Sequence, residues 1–154
     1  ITLAFQDYMK DNHCFGCGAE NTLGLRVKSE WRDDKVAECI FHPQPHHCSG
    51  SPRFLYGGIS ASIIDCHSVC TAIAHAYKQA GRDIGDGEPI WYVTGEMSLK
   101  YRRPVPVNGA VILHAEVISY NDKQSQVRCT LSSGDKPCVT AEVLAVKVDN
   151  YWVA

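Results

Sequence analysis

Asp65 closes the run Tyr56-Gly57-Gly58-Ile59-Ser60-Ala61-Ser62-Ile63-Ile64-Asp65, which places one carboxylate among small and apolar side chains. An isolated ionised carboxylate is costly to remove from water, so a group in such surroundings is paired, protonated or used in chemistry. A second reactive constellation is the CxxC of Cys14 and Cys17, followed at a distance by His42, His46, His47 and Cys48. A zinc site is a rival reading of these residues, but structural zinc commonly draws on a second closely spaced pair, and these candidates are irregularly spaced. No metal site is assigned on this basis. A redox role fits less well, because the pair does not open a helix after a strand in a βαβ pattern.

The elements that must hold these residues follow from periodicity. Residues 57–80 carry Ile59, Ile63, Ile64, Val69, Ile73, Ala74 and Tyr77 at helical spacing, with Ala61, Ala72 and Ala76 on the other sides, which predicts a long, largely buried helix. Cys66 and Cys70 fall inside it and read as small hydrophobes. Gly81 and the polar stretch 82–88 supply its stop and a loop. Before the helix, residues 24–30 and 36–42 flank the polar turn Asp33-Asp34-Lys35 and predict a hairpin, while the proline-containing stretch 43–55 reads as a long loop. After it, residues 90–102, 110–120, 124–132 and 138–148 alternate or run β-branched between turn signals and predict a four-stranded meander over 90–148. The expected fold is α+β: an antiparallel sheet of about six strands wrapped around one long central helix.

Composition narrows the function. The 154 residues fit one domain, 1–154, with an N-terminal extension over 1–24. A formal charge of -2 leaves no footprint for nucleic acid, and the local basic cluster is Lys100, Arg102 and Arg103. No apolar stretch is read as long enough to span a bilayer, so no membrane is expected. Eight cysteines in a chain with ample apolar residues for a core point to free thiols in a reducing cytoplasm.

Several separate motifs together resemble the PaaI-like branch of the hotdog-fold acyl-CoA thioesterases. Cys14-Phe15-Gly16-Cys17-Gly18 with Asn21 and Gly24-Leu25 is similar to an opening found in many members; Gly57-Gly58 with Asp65 resembles their helix signature; Thr94-Gly95-Glu96 through Tyr101-Arg102-Arg103-Pro104-Val105-Pro106 resembles their third strand and its exit. The resemblance implies the hotdog fold and hydrolysis of an acyl-CoA to a carboxylic acid and free coenzyme A, with no cofactor. It implies that Asp65 is the general base or nucleophile, that the Gly57 N–H at a helix N-terminus faces the developing oxyanion, and that Gly58 lets the carbonyl approach. Thr94 matches a hydroxyl position that assists water in some relatives. Most members carry His before the glycine pair where this chain has Tyr56; a phenol donates a hydrogen bond but is a poor base near neutral pH. Many relatives also carry Asn or Gln in the preceding loop, where this chain reads His46-His47-Cys48-Ser49-Gly50-Ser51-Pro52-Arg53. Arg102 and Arg103 are placed to pair with coenzyme A phosphates, although strand alternation argues against both pointing one way. A hotdog protein that binds acyl-CoA or another apolar ligand without turning it over is the alternative, and a hydratase of the same fold is a third reading.

Helix geometry adds three expectations. Ser68, three residues beyond Asp65, shares its face and can orient the carboxylate or a water. His67, roughly 200° round the helix, cannot easily share a carbonyl with Asp65 and is read as a packing or supporting residue of the substrate site. Gly57 and Asp65 are roughly 12 Å apart along one helix, too far to grip one carbonyl together. Joint action therefore requires Gly57 from one protomer and Asp65 from a two-fold partner, which predicts a homodimer, with pairing into a tetramer also open.

Overall fold

A computed structural model describes residues 3–149; residues 1–2 and 150–154, counted above in the single domain, lie outside the described residues. The chain forms β1 (Glu30–Trp31), β2 (Val36–Phe41), α1 (Gly57–Gln79), β3 (Trp91–Tyr101), β4 (Val111–Tyr120), β5 (Gln124–Ser133) and β6 (Lys136–Val148), with short 3-10 turns at Phe5–Tyr8 and Pro45–His47. The six strands make one antiparallel sheet in the order β1-β2-β4-β5-β6-β3. The sheet curls around α1, which packs on β3, β4, β5 and β6, and this is the expected hotdog architecture.

Alternation builds the wrap. Ala37, Cys39 and Phe41 on β2, Val111, Leu113 and Ala115 on β4, Val127, Cys129 and Leu131 on β5, and Val139, Ala141, Val143 and Ala145 on β6 all point inward. They meet Ile63, Ile64, Ile73 and Ala74 of α1. Truncating a fully buried Ile63 or Ile64 to Ala would cost roughly 2–5 kcal/mol. Gly81, at φ +69°, ends the helix in the left-handed region that suits glycine.

Three expectations are corrected. The meander expected over 90–148 holds for β4, β5 and β6 only. β3 pairs with β6, Trp91 opposite Val148 through Tyr101 opposite Val139, because the nine-residue connection after it carries Pro104 and Pro106 and is no tight hairpin. That connection instead crosses to the segment before α1: Leu55 N–H donates to Val105 O at 2.7 Å and Val107 N–H to Arg53 O at 2.9 Å. The strand expected over 24–30 is reduced to Glu30–Trp31. Residues 25–29 direct backbone bonds to the N-terminal segment, Leu25 N–H to Phe15 O at 2.7 Å, Val27 N–H to Gly16 O at 2.9 Å and Phe5 N–H to Ser29 O at 2.8 Å. Finally, α1 is by length and composition apolar enough to cross a membrane, with mean hydropathy 1.2. Most of that stretch is buried inside the sheet, so its apolarity serves the core.

Candidate active site

Asp65 sits half-buried on the side of α1 that faces β3, where the Thr94 hydroxyl donates to its Oδ1. The strand is shaped for this contact. Thr94 pairs with Ala145 and Glu96 with Leu144, so Gly95 is an extra residue, a β-bulge that re-aims the side chains beside it. A Cβ on Gly95 would come within 2.6 Å of Val146 Cγ2, so glycine suits the bulge sterically. Burial holds the Asp65 carboxyl above the ordinary carboxylate range, opposed by the Thr94 hydrogen bond.

The other end of the site is the start of α1. Tyr56 is the N-cap residue, with φ -61° and ψ 132°, and its N–H is held by His47 O at 2.8 Å. Among the described residues the Gly57 and Gly58 N–H groups have no hydrogen-bond acceptor, as befits a first helical turn, and the helix dipole adds positive potential there. The Tyr56 ring lies over Gly58, where a Cβ would fall 2.3 Å from Tyr56 Cε2. Tyr101, which sequence reasoning did not single out, donates its hydroxyl to Gly57 O at 2.7 Å and flanks the same turn. A groove lined by Phe15, Leu25, Phe41, Gln44, His46 and Tyr56 opens beside it. A second groove, with Met9, Ile73, Tyr77, Ile84 and Trp91, lies towards the far end of the helix, along the strand that carries Thr94.

Ser68, expected beside Asp65, turns inward, and so does His67, which the sequence reads as a packing or supporting residue. His67 is fully buried, its Nδ1 accepting from Ser29 Oγ at 2.7 Å and its Nε2 donating to Ala37 O at 3.0 Å. Gln6 completes the set, donating to Ser29 Oγ at 3.0 Å and accepting from Ser29 N–H at 2.8 Å. Burial holds this imidazole neutral, with a pKa lowered to about 4. With both ring nitrogens engaged, His67 makes no contact with a substrate; it ties the N-terminal segment, α1 and β2 together. Ser68 is also fully buried and faces the Cys129 thiol on β5, so it does not reach the Asp65 site as expected. The cause in both cases is the closure of the sheet over that side of the helix.

Arg102 and Arg103 are exposed at the end of β3, where both backbone N–H groups reach Cys138 O, at 2.7 and 3.1 Å. Arg102 Nε donates to Thr140 Oγ1 at 3.2 Å, and it lines a shallow depression on the outer sheet face with Lys100 and Arg128. Arg103 does not line this depression, in keeping with alternation.

The CxxC has partners that sequence reasoning missed. Cys14 Sγ lies 3.7 Å from Cys66 Sγ, and Cys70 Sγ lies 3.8 Å from Cys17 Sγ. His42, His46, His47 and Cys48 are not part of the cluster; the second pair comes from α1. The missed signal is the i, i+4 spacing of Cys66 and Cys70, which places both on one helix face.

Comparison with known proteins bears on all of this. The family model described as the thioesterase superfamily matches residues 53–144. Among curated proteins, the acyl-coenzyme A thioesterase THEM4 of Bos taurus is 24% identical over 151 residues, which span 96% of this chain and 56% of that protein. THEM4 of Mus musculus is 25% identical over 105 residues, 67% of this chain and 40% of that protein. The chain thus spans about half the length of the curated relatives it matches. Among solved structures, a thioesterase superfamily protein from Shewanella loihica superposes with a TM-score of 0.65 at 29% identity, covering 90% of this chain and 96% of that one. Thioesterase superfamily member 2 from Mus musculus gives 0.66 at 15% identity, covering 92% and 93%, a likeness of fold.

Proposed function

The chain belongs to the thioesterase superfamily, and on that footing we propose that it hydrolyses an acyl-CoA thioester at a site built from Asp65 and Thr94 of one protomer and Gly57 and Gly58 of another. The observation that carries this reading is the Thr94 hydroxyl donated to Asp65 Oδ1, which leaves Oδ2 available to a water. Asp65 removes a proton from that water as its oxygen attacks the thioester carbonyl. The carbonyl oxygen, becoming an oxyanion, takes hydrogen bonds from the unpartnered N–H groups at the helix start. The tetrahedral intermediate collapses, the C–S bond breaks, and the proton held by Asp65 passes to the departing coenzyme A sulfur, giving the acid and the thiol. Tyr56, in the place of the family's usual His, has its ring over Gly58, which supports a role for its hydroxyl as a donor to the same carbonyl.

The distance between the two ends of the helix segment supports a two-chain site, since Gly57 and Asp65 of one protomer are roughly 12 Å apart. The outward edge of β3 supports it too: eleven residues at the margin of the sheet leave backbone groups open to a second copy. Lys100 and Arg102 are two residues apart, share the outer sheet face and supply charge for coenzyme A phosphates. A cytoplasmic location accompanies this reading, supported by a cysteine-rich composition that suits a reducing compartment, and fractionation of the source cells checks it.

The test is thiol release from a panel of short, medium and aromatic acyl-CoAs, with Asp65→Asn alongside. Wild-type turnover that falls by roughly 10²–10⁴ in the variant, with acyl-CoA binding retained, is the expected result. Unchanged turnover in Asp65→Asn would remove Asp65 from the chemistry. Binding without turnover by the folded wild type would overturn hydrolysis in favour of a carrier of acyl-CoA.

A further inference from the structure

The sulfurs of Cys14, Cys17 and Cys66 all lie within 4.8 Å of one another, and Cys70 adds a fourth from the buried side, 3.8 Å from Cys17. They come from two places far apart in the chain: a loop in the N-terminal segment, and one face of α1 immediately after Asp65. A tetrahedral ion with metal–sulfur bonds of about 2.3 Å sets its sulfurs about 3.8 Å apart. The observed separations of 3.7 Å for Cys14–Cys66 and 3.8 Å for Cys17–Cys70 match two edges of such a tetrahedron and are far from the ~2.05 Å of a disulfide. Cys70 stands outside the group of three mutually close sulfurs, so its side chain closes in when an ion binds.

The surroundings fit thiolates as ligands. Asn12 is buried and donates its side-chain N–H to Cys17 Sγ at 3.6 Å, while its Oδ1 accepts from Cys14 N–H at 3.1 Å and fixes the turn. Such outer hydrogen bonds orient sulfur ligands and stabilise their charge. The loop closes so tightly that side chains are excluded. A Cβ on Gly16 would stand 2.2 Å from Cys66 Sγ, and one on Gly18 would stand 2.4 Å from Cys14 N. The turn is locked by Gly18 N–H donating to Cys14 O at 2.8 Å. Cys17 and Cys70 are buried while Cys14 is exposed, which leaves an entry path for an ion. Four small hydrophobes packed for volume alone would not need the amide aimed at sulfur.

We propose that Cys14, Cys17, Cys66 and Cys70 bind one zinc ion as a structural site that fastens the N-terminal segment to the helical turn carrying Asp65. Each ligating thiol releases its proton to solvent as its sulfur takes up the metal, with no change of oxidation state. The site is separate from the hydrolysis proposed above, since every sulfur is committed to the ion. It makes the first 24 residues part of the working domain: the loop cannot leave α1 without breaking two of the four bonds.

The test is elemental analysis of the full chain purified without metal-affinity resin or chelator, together with cobalt(II) titration of the reduced apoprotein. About one zinc per chain is expected. The cobalt form should show near-ultraviolet sulfur-to-metal charge transfer and the visible bands of tetrahedral tetrathiolate coordination. Cys17→Ser should lose the zinc, whereas Cys48→Ser, outside the cluster, should keep it. The wild-type cobalt spectrum does not depend on whether Cys17→Ser folds. Reduced, folded protein that holds no zinc and gives no such spectrum would overturn the proposal. So would stoichiometric iron in place of zinc, or a peptide map showing a Cys14–Cys66 disulfide.

Discussion

Thr94 and Asp65 form a pair in which the hydroxyl donates its hydrogen to one carboxylate oxygen, and in the proposed hydrolysis this decides which oxygen meets the water. That division of labour gives Thr94 a positioning role that is separable from the base itself. Thr94→Val keeps the shape of the side chain and removes the donor, and kcat should fall by roughly tenfold, the worth of about one hydrogen bond to a charged group, while KM moves little. Thr94→Ser should recover most of the loss. Steady-state kinetics on all three proteins checks this, and a Thr94→Val enzyme as fast as the wild type would leave the hydroxyl with a purely structural role. At the helix start, Tyr56 and Tyr101 bracket Gly57 and Gly58, so the polar side chains flanking the proposed oxyanion turn are phenols. Of these residues Asp65 and the pair Gly57-Gly58 were legible in the sequence as local signals, a carboxylate in an apolar helix and glycines at its start, whereas the roles proposed for Gly57, Gly58 and Thr94 came from the resemblance to the family. Tyr101 was not legible, because it reaches Gly57 across 44 residues of chain.

α1 has two unlike sides, and the residues on each follow from what covers them. The side carrying His67 and Ser68 is closed by the sheet, and His67 is the knot of a network that includes Gln6, Ser29 and Ala37. His67→Ala leaves those groups unpaired and opens a cavity, so stability should fall by roughly 3 kcal/mol, read from urea denaturation, while activity per folded molecule is kept. A collapse of kcat without loss of stability would return His67 to the active site. On the outer sheet face, Lys100 and Arg102 share a surface near Arg128, whose own charge is paired with Glu142 at 3.3 Å. The double variant Lys100→Ala with Arg102→Ala should raise KM for acyl-CoA by roughly tenfold and leave KM for the corresponding acyl-pantetheine, which lacks the nucleotide phosphates, unchanged. Equal effects on both substrates would separate this strip from phosphate binding.

At the scale of the whole molecule, the question is whether one protomer can complete a site. The composite arrangement makes a quantitative statement about mixed dimers. Gly57→Pro deletes the backbone N–H at the first helical position, where proline is tolerated, and the extended ψ of 132° at Tyr56 already suits a residue before proline. Asp65→Asn deletes the base. Each homodimer should be inactive, whereas a heterodimer holds one intact site and one doubly defective site. Co-refolding equal amounts, with half the dimers mixed and one site of two intact in each, should restore about one quarter of wild-type turnover. Sedimentation at assay concentration should show a dimer. Restoration near zero from properly mixed dimers would place the whole site within one chain.

The sequence by itself determined the long apolar helix, the inward faces of β2, β4, β5 and β6, and the spacing that keeps Gly57 and Asp65 apart. Each is written in a period of a few residues, and burial on one side of a helix or strand repeats with that period whatever lies opposite. Only the tertiary structure decided that β3 leaves its sequence neighbour to pair with β6, that the segment before β1 bonds to the cysteine loop, and that Ser68 faces the sheet rather than Asp65. It alone brought Cys66 and Cys70 to Cys14 and Cys17, across 52 and 53 residues. These outcomes depend on which surfaces meet when the sheet closes around the helix, and contact between distant segments leaves no periodic trace in either of them.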